Sequence, residues 1–350
     1  MLTSDFDFDL PEDRIAAEPS ADRSEARLMV VDRDRGSWEH RRITDLPSLD
    51  KEGDLWILND SKVIPARLLD TDAGVEVLLL EETSPNHWRC LTRPAKKTRP
   101  DVRLSFQPRD PGKKAITATV LKTLPTGERI IRFHAPFSCD DYGLMPVPPY
   151  ILKRRRGTPA AEGWDALDRE RYQTVFASRD GSVAAPTAGL HFTPDLLARL
   201  PHAFVTLHVG LGTFRPIKTA RLEDHIMHQE SFWVPEETAA AAQAATRRIA
   251  VGTTVARVLE TMKHLHAAGG KTHLFITPPH RFRHTDALMT NFHLPRSSLL
   301  VLVTAFLGDR GPDREPLPRN RSLELLRAIY ADAIREGYRF YSYGDAMLIV

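Results

Sequence analysis

Cysteine is scarce: Cys90 and Cys139 are the two in 350 residues. Neither belongs to a C-x-x-C pair, which excludes a zinc ribbon and a thioredoxin-like redox motif. Two thiols in a chain this long suit a reducing compartment. Long apolar runs are missing as well. The longest in the C-terminal third, Leu299–Leu307, covers nine residues including Thr304, whereas a membrane helix needs about 20. Met1–Pro11 is acidic, with no basic stretch ahead of an apolar one, so no secretory signal is predicted and the expected location is cytoplasmic. No sign of charge dominates: Lys and Arg total 48 against 46 Asp and Glu, a net +2. Global charge therefore does not decide about nucleic acid; its distribution does. The chain has neither a Walker A loop nor a G-x-S-x-G elbow, which counts against a P-loop ATPase and a standard α/β-hydrolase.

What is present is ordinary for a globular protein, with 42% hydrophobic and 27% charged residues. The length suggests about two domains. Proline is abundant at 26 residues, which implies many turns and extended segments. From Gly53 to about Phe133 the chain reads as seven short strands: 54–58, 63–69, 75–80, 88–91, 102–106, 116–121 and 130–133. Turn residues such as Asp72-Ala73-Gly74 and Pro125-Thr126-Gly127 separate them. This spacing predicts a small all-β barrel or sandwich.

After Pro148-Pro149 strand and helix patterns alternate. Helices are predicted over 168–177, from a Thr193 cap to about 200, from Pro235 to 248, over 253–265 and from Ser322 to Arg335. Strands are predicted at 204–209 and 249–252 and in the closing 338–350 segment; 274–276 and 299–305 read as buried strands or apolar helix. The expected fold is a three-layer α/β domain with a mainly parallel sheet, built from residues 1–55 and 150–350, with the barrel inserted at 56–149.

Several polar segments interrupt these elements. Gly181 to Pro194 is rich in small residues and leads into a helix N-terminus, a plausible cradle for a carboxylate or phosphate. His208 to Pro216 follows a predicted strand, where open α/β sheets bind ligands. His225-Ile226-Met227-His228-Gln229-Glu230 invites a metal reading, but it lacks the H-E-x-x-H spacing and no third ligand is indicated, so no metal site is predicted. Thr290 to Ser298 and Tyr341 to Met347 add Asn, His, Arg, Tyr and Asp near strand ends. Charge is uneven: the first 25 residues hold eight acids against Arg14 and Arg23, while 93–114 holds eight bases against Asp101 and Asp110. Lys153-Arg154-Arg155-Arg156 continues the basic surface, a reasonable phosphate-backbone footprint.

In this order, the segments resemble the S-adenosylmethionine:tRNA ribosyltransferase-isomerase family of queuosine biosynthesis. The resemblance rests on 4–11, Asn59 to Leu68, 148–151, 171–175, 182–194, 206–216, 225–230, Gly252-Thr253-Thr254, 290–298 and 341–349. Ser61-Lys62 and Val255-Ala256-Arg257 depart mildly from the family pattern, and 264–286 departs more, so no site residue is assigned in that last segment.

The resemblance implies an α/β domain with an inserted barrel. It also implies S-adenosylmethionine as a ribosyl donor and a tRNA carrying 7-aminomethyl-7-deazaguanine at the wobble position as acceptor. Epoxyqueuosine-tRNA, adenine and methionine would be the products. No metal is needed, and a monomer is expected. His191, His208 and Asp345 are the catalytic candidates, with acid and base unassigned. Tyr343 shares the acid or amine-binding role. Thr187, Ala188 and Gly189 would approach the donor through their backbone. Arg215 and Arg296 would meet carboxylate or phosphate charge, and Asn291 and His293 would orient ribose or base. Lys96, Lys97, Arg154, Arg155 and Arg156 would contact tRNA. The rival readings are an S-adenosylmethionine-dependent tRNA methyltransferase and a non-catalytic tRNA-binding protein.

Overall fold

The computed structural model describes residues 1–155, 163–210, 216–311 and 314–350. Arg156 and Arg215 lie outside these residues. Among the described residues the strands, in chain order, are β1 (Arg27–Asp32), β2 (Ser37–Arg42), β3 (Asp54–Asn59), β4 (Ser61–Val63), β5 (Arg67–Asp70) and β6 (Val75–Ser84). Then come β7 (His87–Arg93), β8 (Arg103–Phe106), β9 (Ile116–Thr123), β10 (Arg129–Phe133), β11 (Arg179–Ser182) and β12 (His202–Leu207). The last are β13 (Glu230–Val234), β14 (Arg247–Val251), β15 (Ala268–Thr272), β16 (Ala287–Asn291) and β17 (Ala346–Ile349).

Nine strands form one sheet in the order β15-β13-β12-β3-β14-β16-β17-β1-β2. The sheet is mixed rather than mainly parallel. The run β12-β3-β14-β16 is parallel, β17 returns antiparallel beside β16, and β1 is parallel to β17. Alternate residues of each central strand enter opposite cores: Leu28, Val30, Trp56 and Leu58 on one face, Met29, Val31, Leu55 and Ile57 on the other. Helices Thr253–Thr261, Ser298–Gly308 and Arg319–Arg335 cover the second face. Phe192, Leu196 and Leu46 cover the first. Both faces are therefore buried, which makes three layers. The central position of β3 explains its continuous apolar run.

The barrel is a six-stranded antiparallel sheet, β5-β6-β7-β10-β9-β8. Its strands alternate as one-sided sheets must: Val75, Val77 and Leu79 point inward, and so do Ile116, Ala118 and Val120. The edges nearly close, with Ser105 N–H on β8 donating to Asp70 Oδ2 on β5 at 2.8 Å.

Several expectations shift. Residues 54–59 belong to the large sheet, so the barrel strands begin at Arg67 rather than at 56. The 168–177 helix sits earlier, at Trp164–Arg171. The helix after Thr193 is only Pro194–Leu197, although Thr193 caps it as expected. The alanine-rich helix stops at Ala244 because β14 begins at Arg247. Residues 274–276, read as strand or helix, form neither; β15 lies at 268–272. The ambiguous 299–305 run is a buried helix, capped by Ser297 and extending to Gly308.

Candidate active site

Because β12, β3, β14 and β16 are parallel, their carboxyl ends meet at one edge of the sheet, where α/β sheets leave a crevice for ligands. The antiparallel return of β17 brings its amino end, and that of β1, to the same edge. A cleft opens there. Its lining includes Thr187, Ala188, Gly252, Thr254, Asn291 and His293. Tyr150 and Tyr341 stand at its side with ring centroids 4.6 Å apart. The Tyr150 hydroxyl meets Ser342 Oγ at 2.5 Å and accepts Ser342 N–H at 3.0 Å.

Of the residues expected to act, Thr187, Ala188, Asn291 and His293 line this cleft. His191 stands behind it. Asn291 Nδ2 lies 3.2 Å from His191 Nε2 and 3.4 Å from the Asp345 carbonyl. A carbonyl only accepts, so the amide nitrogen faces that side, and Nε2 of His191 is the acceptor. Burial, reinforced by the charges of Arg23 and Arg339, pushes the His191 pKa down to about 4. Burial pushes that of His293 down to about 3, and its Nε2 lies 2.8 Å from Thr290 Oγ1. Both imidazoles are therefore neutral at pH 7 and, with pKa values this low, weak bases that serve as hydrogen-bonding partners.

His208 sits at the end of β12 in an adjoining cleft of about 500 Å³ between barrel and sheet, with Trp88, Arg89, Glu81 and Glu230 around it. Val209 lines both clefts. Gly181, at φ +135°, makes room for the ring; a Cβ there would stand 3.1 Å from it. His208 Nδ1 is buried without a partner among the described residues, and burial lowers the pKa of the ring.

Other expected residues are committed elsewhere. The Asp345 carboxylate accepts the N–H groups of Arg27 at 2.9 Å and Arg339 at 2.7 Å, fixing the turn before β17. Burial raises its pKa while these donors oppose the shift. Gly189 serves packing, since a Cβ would come within 2.9 Å of Phe176. Tyr343 donates to Asp168 Oδ1 at 2.9 Å in a buried cluster. Arg155 completes that cluster through two bonds to Asp168, at 2.6 and 2.9 Å, and stacks on Trp164. It is not a surface contact for phosphate, because its charge is already used in the interior. Arg296 is exposed and its charge is paired with Asp7. Lys96, Lys97 and Arg154 are exposed. Within the basic stretch, Arg109 pairs with Asp165 and Lys113 with Asp141.

Among the described residues no three His, Cys, Asp or Glu side chains gather as metal ligands. Glu230 of the H-x-x-H segment instead pairs with Arg257 and accepts Gly210 N–H at 2.8 Å. No described helix is long and apolar enough to cross a membrane. Individual site assignment missed Gly252, Thr254, Tyr150 and Ser342. The usable signal was the glycine-threonine pair directly after the buried β14 run.

Comparison with known proteins agrees with this architecture. A family model described as queuosine biosynthesis protein matches residues 3–349. An S-adenosylmethionine:tRNA ribosyltransferase-isomerase of Thermus thermophilus is 46% identical, covering 99% of this chain and 98% of its own. The protein of that name from Caldanaerobacter subterraneus is 43% identical over the whole of both chains. The crystal structure of an S-adenosylmethionine tRNA ribosyltransferase from Thermotoga maritima is 34% identical, with a TM-score of 0.53, covering 99% of this chain and 100% of that one. The chain belongs to the queuosine biosynthesis protein family.

Proposed function

We propose that this protein transfers and isomerises the ribosyl moiety of S-adenosylmethionine onto 7-aminomethyl-7-deazaguanine in the tRNA wobble position, giving epoxyqueuosine-tRNA. Adenine and methionine leave. The observation that carries this reading is the 43–46% identity, over essentially full length, to proteins bearing that activity as their name. The cleft at the carboxyl edge of the sheet supports it with chemistry of the right kind.

The reaction requires a proton to be taken from the sugar carbon next to the sulfonium, and a neutral amine as nucleophile. A neutral imidazole with a free ring nitrogen offers a lone pair for that proton. His208, with an unpartnered ring nitrogen at the junction of the two clefts, is the residue we place nearest the chemistry. His191 holds Asn291 in orientation and is a positioning residue. The barrel and the exposed bases Lys96, Lys97 and Arg154 form the side offered to tRNA, and the location that follows is cytoplasmic.

The test is chromatography of one reaction containing S-adenosylmethionine and substrate tRNA. Free adenine with methionine is expected. S-adenosylhomocysteine in their place would mark a methyltransferase, and no turnover with intact tRNA binding would mark a binding protein.

A further inference from the structure

Among the described residues, two polar side-chain atoms in the sheet-edge cleft are buried with no hydrogen-bond partner: Asn291 Oδ1 and Thr254 Oγ1. Their residues are 2% and 6% exposed. A buried polar atom left alone is costly, so such pairs mark places where a ligand completes the bonding. The two differ in kind. The Asn291 oxygen only accepts, because its nitrogen is committed to His191 and to the Asp345 carbonyl. The Thr254 hydroxyl can donate.

Their surroundings are polarised. Thr254 lies in the first turn of the nine-residue helix Thr253–Thr261, and Gly252 at its N-cap has no side chain to cap it. The first N–H groups of a helix have no partner within it, and the helix end carries about half a positive charge. Gly252 adopts φ +100°, the left-handed region that turns β14 into this helix. The cleft lining contains no Lys or Arg among the described residues. Arg296, expected at the sequence level to meet a carboxylate, is paired with Asp7 at the surface. Among the described residues lining the cleft, the helix end is thus the source of positive potential. Asn291 is a close neighbour: Val251 is in register with Met289, and Gly252 N–H donates to Met289 O at 2.7 Å, so Thr253–Thr254 leave β14 beside Thr290–Asn291. Adjacent strands are about 4.8 Å apart, a spacing that the carboxylate and ammonium of one α-amino acid can span.

Resting on the ribosyl-transfer reading, we propose that this corner is the subsite for the methionyl end of S-adenosylmethionine. The carboxylate lies on the opening N–H groups of helix Thr253–Thr261 and takes the Thr254 hydroxyl proton in a hydrogen bond; the ammonium donates to Asn291 Oδ1. The sulfonium and sugar then extend past Val209 toward His208, where the two clefts join. The subsite selects donors that keep their amino-acid head.

Calorimetric titration of the full chain with S-adenosylmethionine and with decarboxylated S-adenosylmethionine tests this. The unaltered chain binds the decarboxylated compound about tenfold or more weakly, as expected for lost charge-assisted hydrogen bonds. Thr254→Val, which keeps shape and removes the hydroxyl, weakens S-adenosylmethionine about fivefold and the decarboxylated compound less than about twofold. Thr254→Ser restores the discrimination. Equal binding of both compounds by the unaltered chain, or equal weakening of both by Thr254→Val, overturns the subsite. Failure of the ribosyl-transfer reading has a separate signature, namely tight S-adenosylmethionine binding with no adenine released when tRNA is added.

Discussion

His191 shows how a single buried residue can stand behind a cleft and touch it only through a neighbour that lines it. Its imidazole is buried, with Nε2 held by Asn291. In the folded chain its pKa is pushed down from an ordinary 6.5 to about 4. An unfolded chain therefore binds one more proton between those values, and stability falls as pH drops. The contribution is fully present above about pH 6.5 and is lost progressively toward pH 4, about 3 kcal/mol in all. Urea unfolding between pH 7.5 and 4.5 should show this loss. His191→Asn should flatten the pH slope by about one proton; an unchanged slope would place the titration elsewhere. Residue types in sequence pointed to Asn291, His293, Thr187 and Ala188, which the fold brings to one cleft. They could not show that Arg296 and Arg155 are already paired, because a partner 289 or 13 residues away leaves no local signature.

Arg155, Asp168 and Tyr343 illustrate the scale of elements. The ion pair joins helix Pro149–Arg154 at its C-cap to helix Trp164–Arg171, and Tyr343 ties both to the turn before β17. Both charged side chains are within 5% exposure, so removing one partner leaves a buried charge alone. Arg155→Met should destabilise by about 3–5 kcal/mol in denaturant titration, while tRNA affinity per folded molecule stays unchanged. Weaker tRNA binding without lost stability would return Arg155 to the surface. Periodicity made the barrel strands legible, since one-sided strands alternate. It could not separate strand from helix in 299–305, because a helix buried all round has no polar face to reveal its period. Nor could it assign 54–59 to the right sheet, because a central strand looks alike wherever it is buried on both sides.

At the scale of the molecule, the larger cleft and the Lys96–Lys97 turn lie toward opposite ends of the β6–β7 hairpin: Glu82 and Trp88 line the cleft near its tip, whereas Lys97 meets Ala73 before β6. The barrel packs beside the carboxyl edge of the sheet, with the larger cleft between them. Lys96 and Lys97 lie on a turn held by Arg129, which donates to the carbonyls of Ala95 and Thr98. Replacing Lys96, Lys97 and Arg154 together by Ala should lower the slope of log affinity for tRNA against log salt by about 2 to 3, roughly 0.7–0.9 per phosphate contact. Filter binding across salt concentrations measures it, and an unaltered slope would move the tRNA path to another face.

The order of motifs along the chain carried the family resemblance, while turn chemistry and hydrophobic period, which are local, carried the all-β segment and the alternation of strand and helix. Tertiary structure decided which charges were free. It also decided where strand ends meet, which histidine faces a cleft, and that Thr254 and Asn291 share one. The physical reason is that burial and pairing depend on partners distant in sequence, and only folding sets those distances.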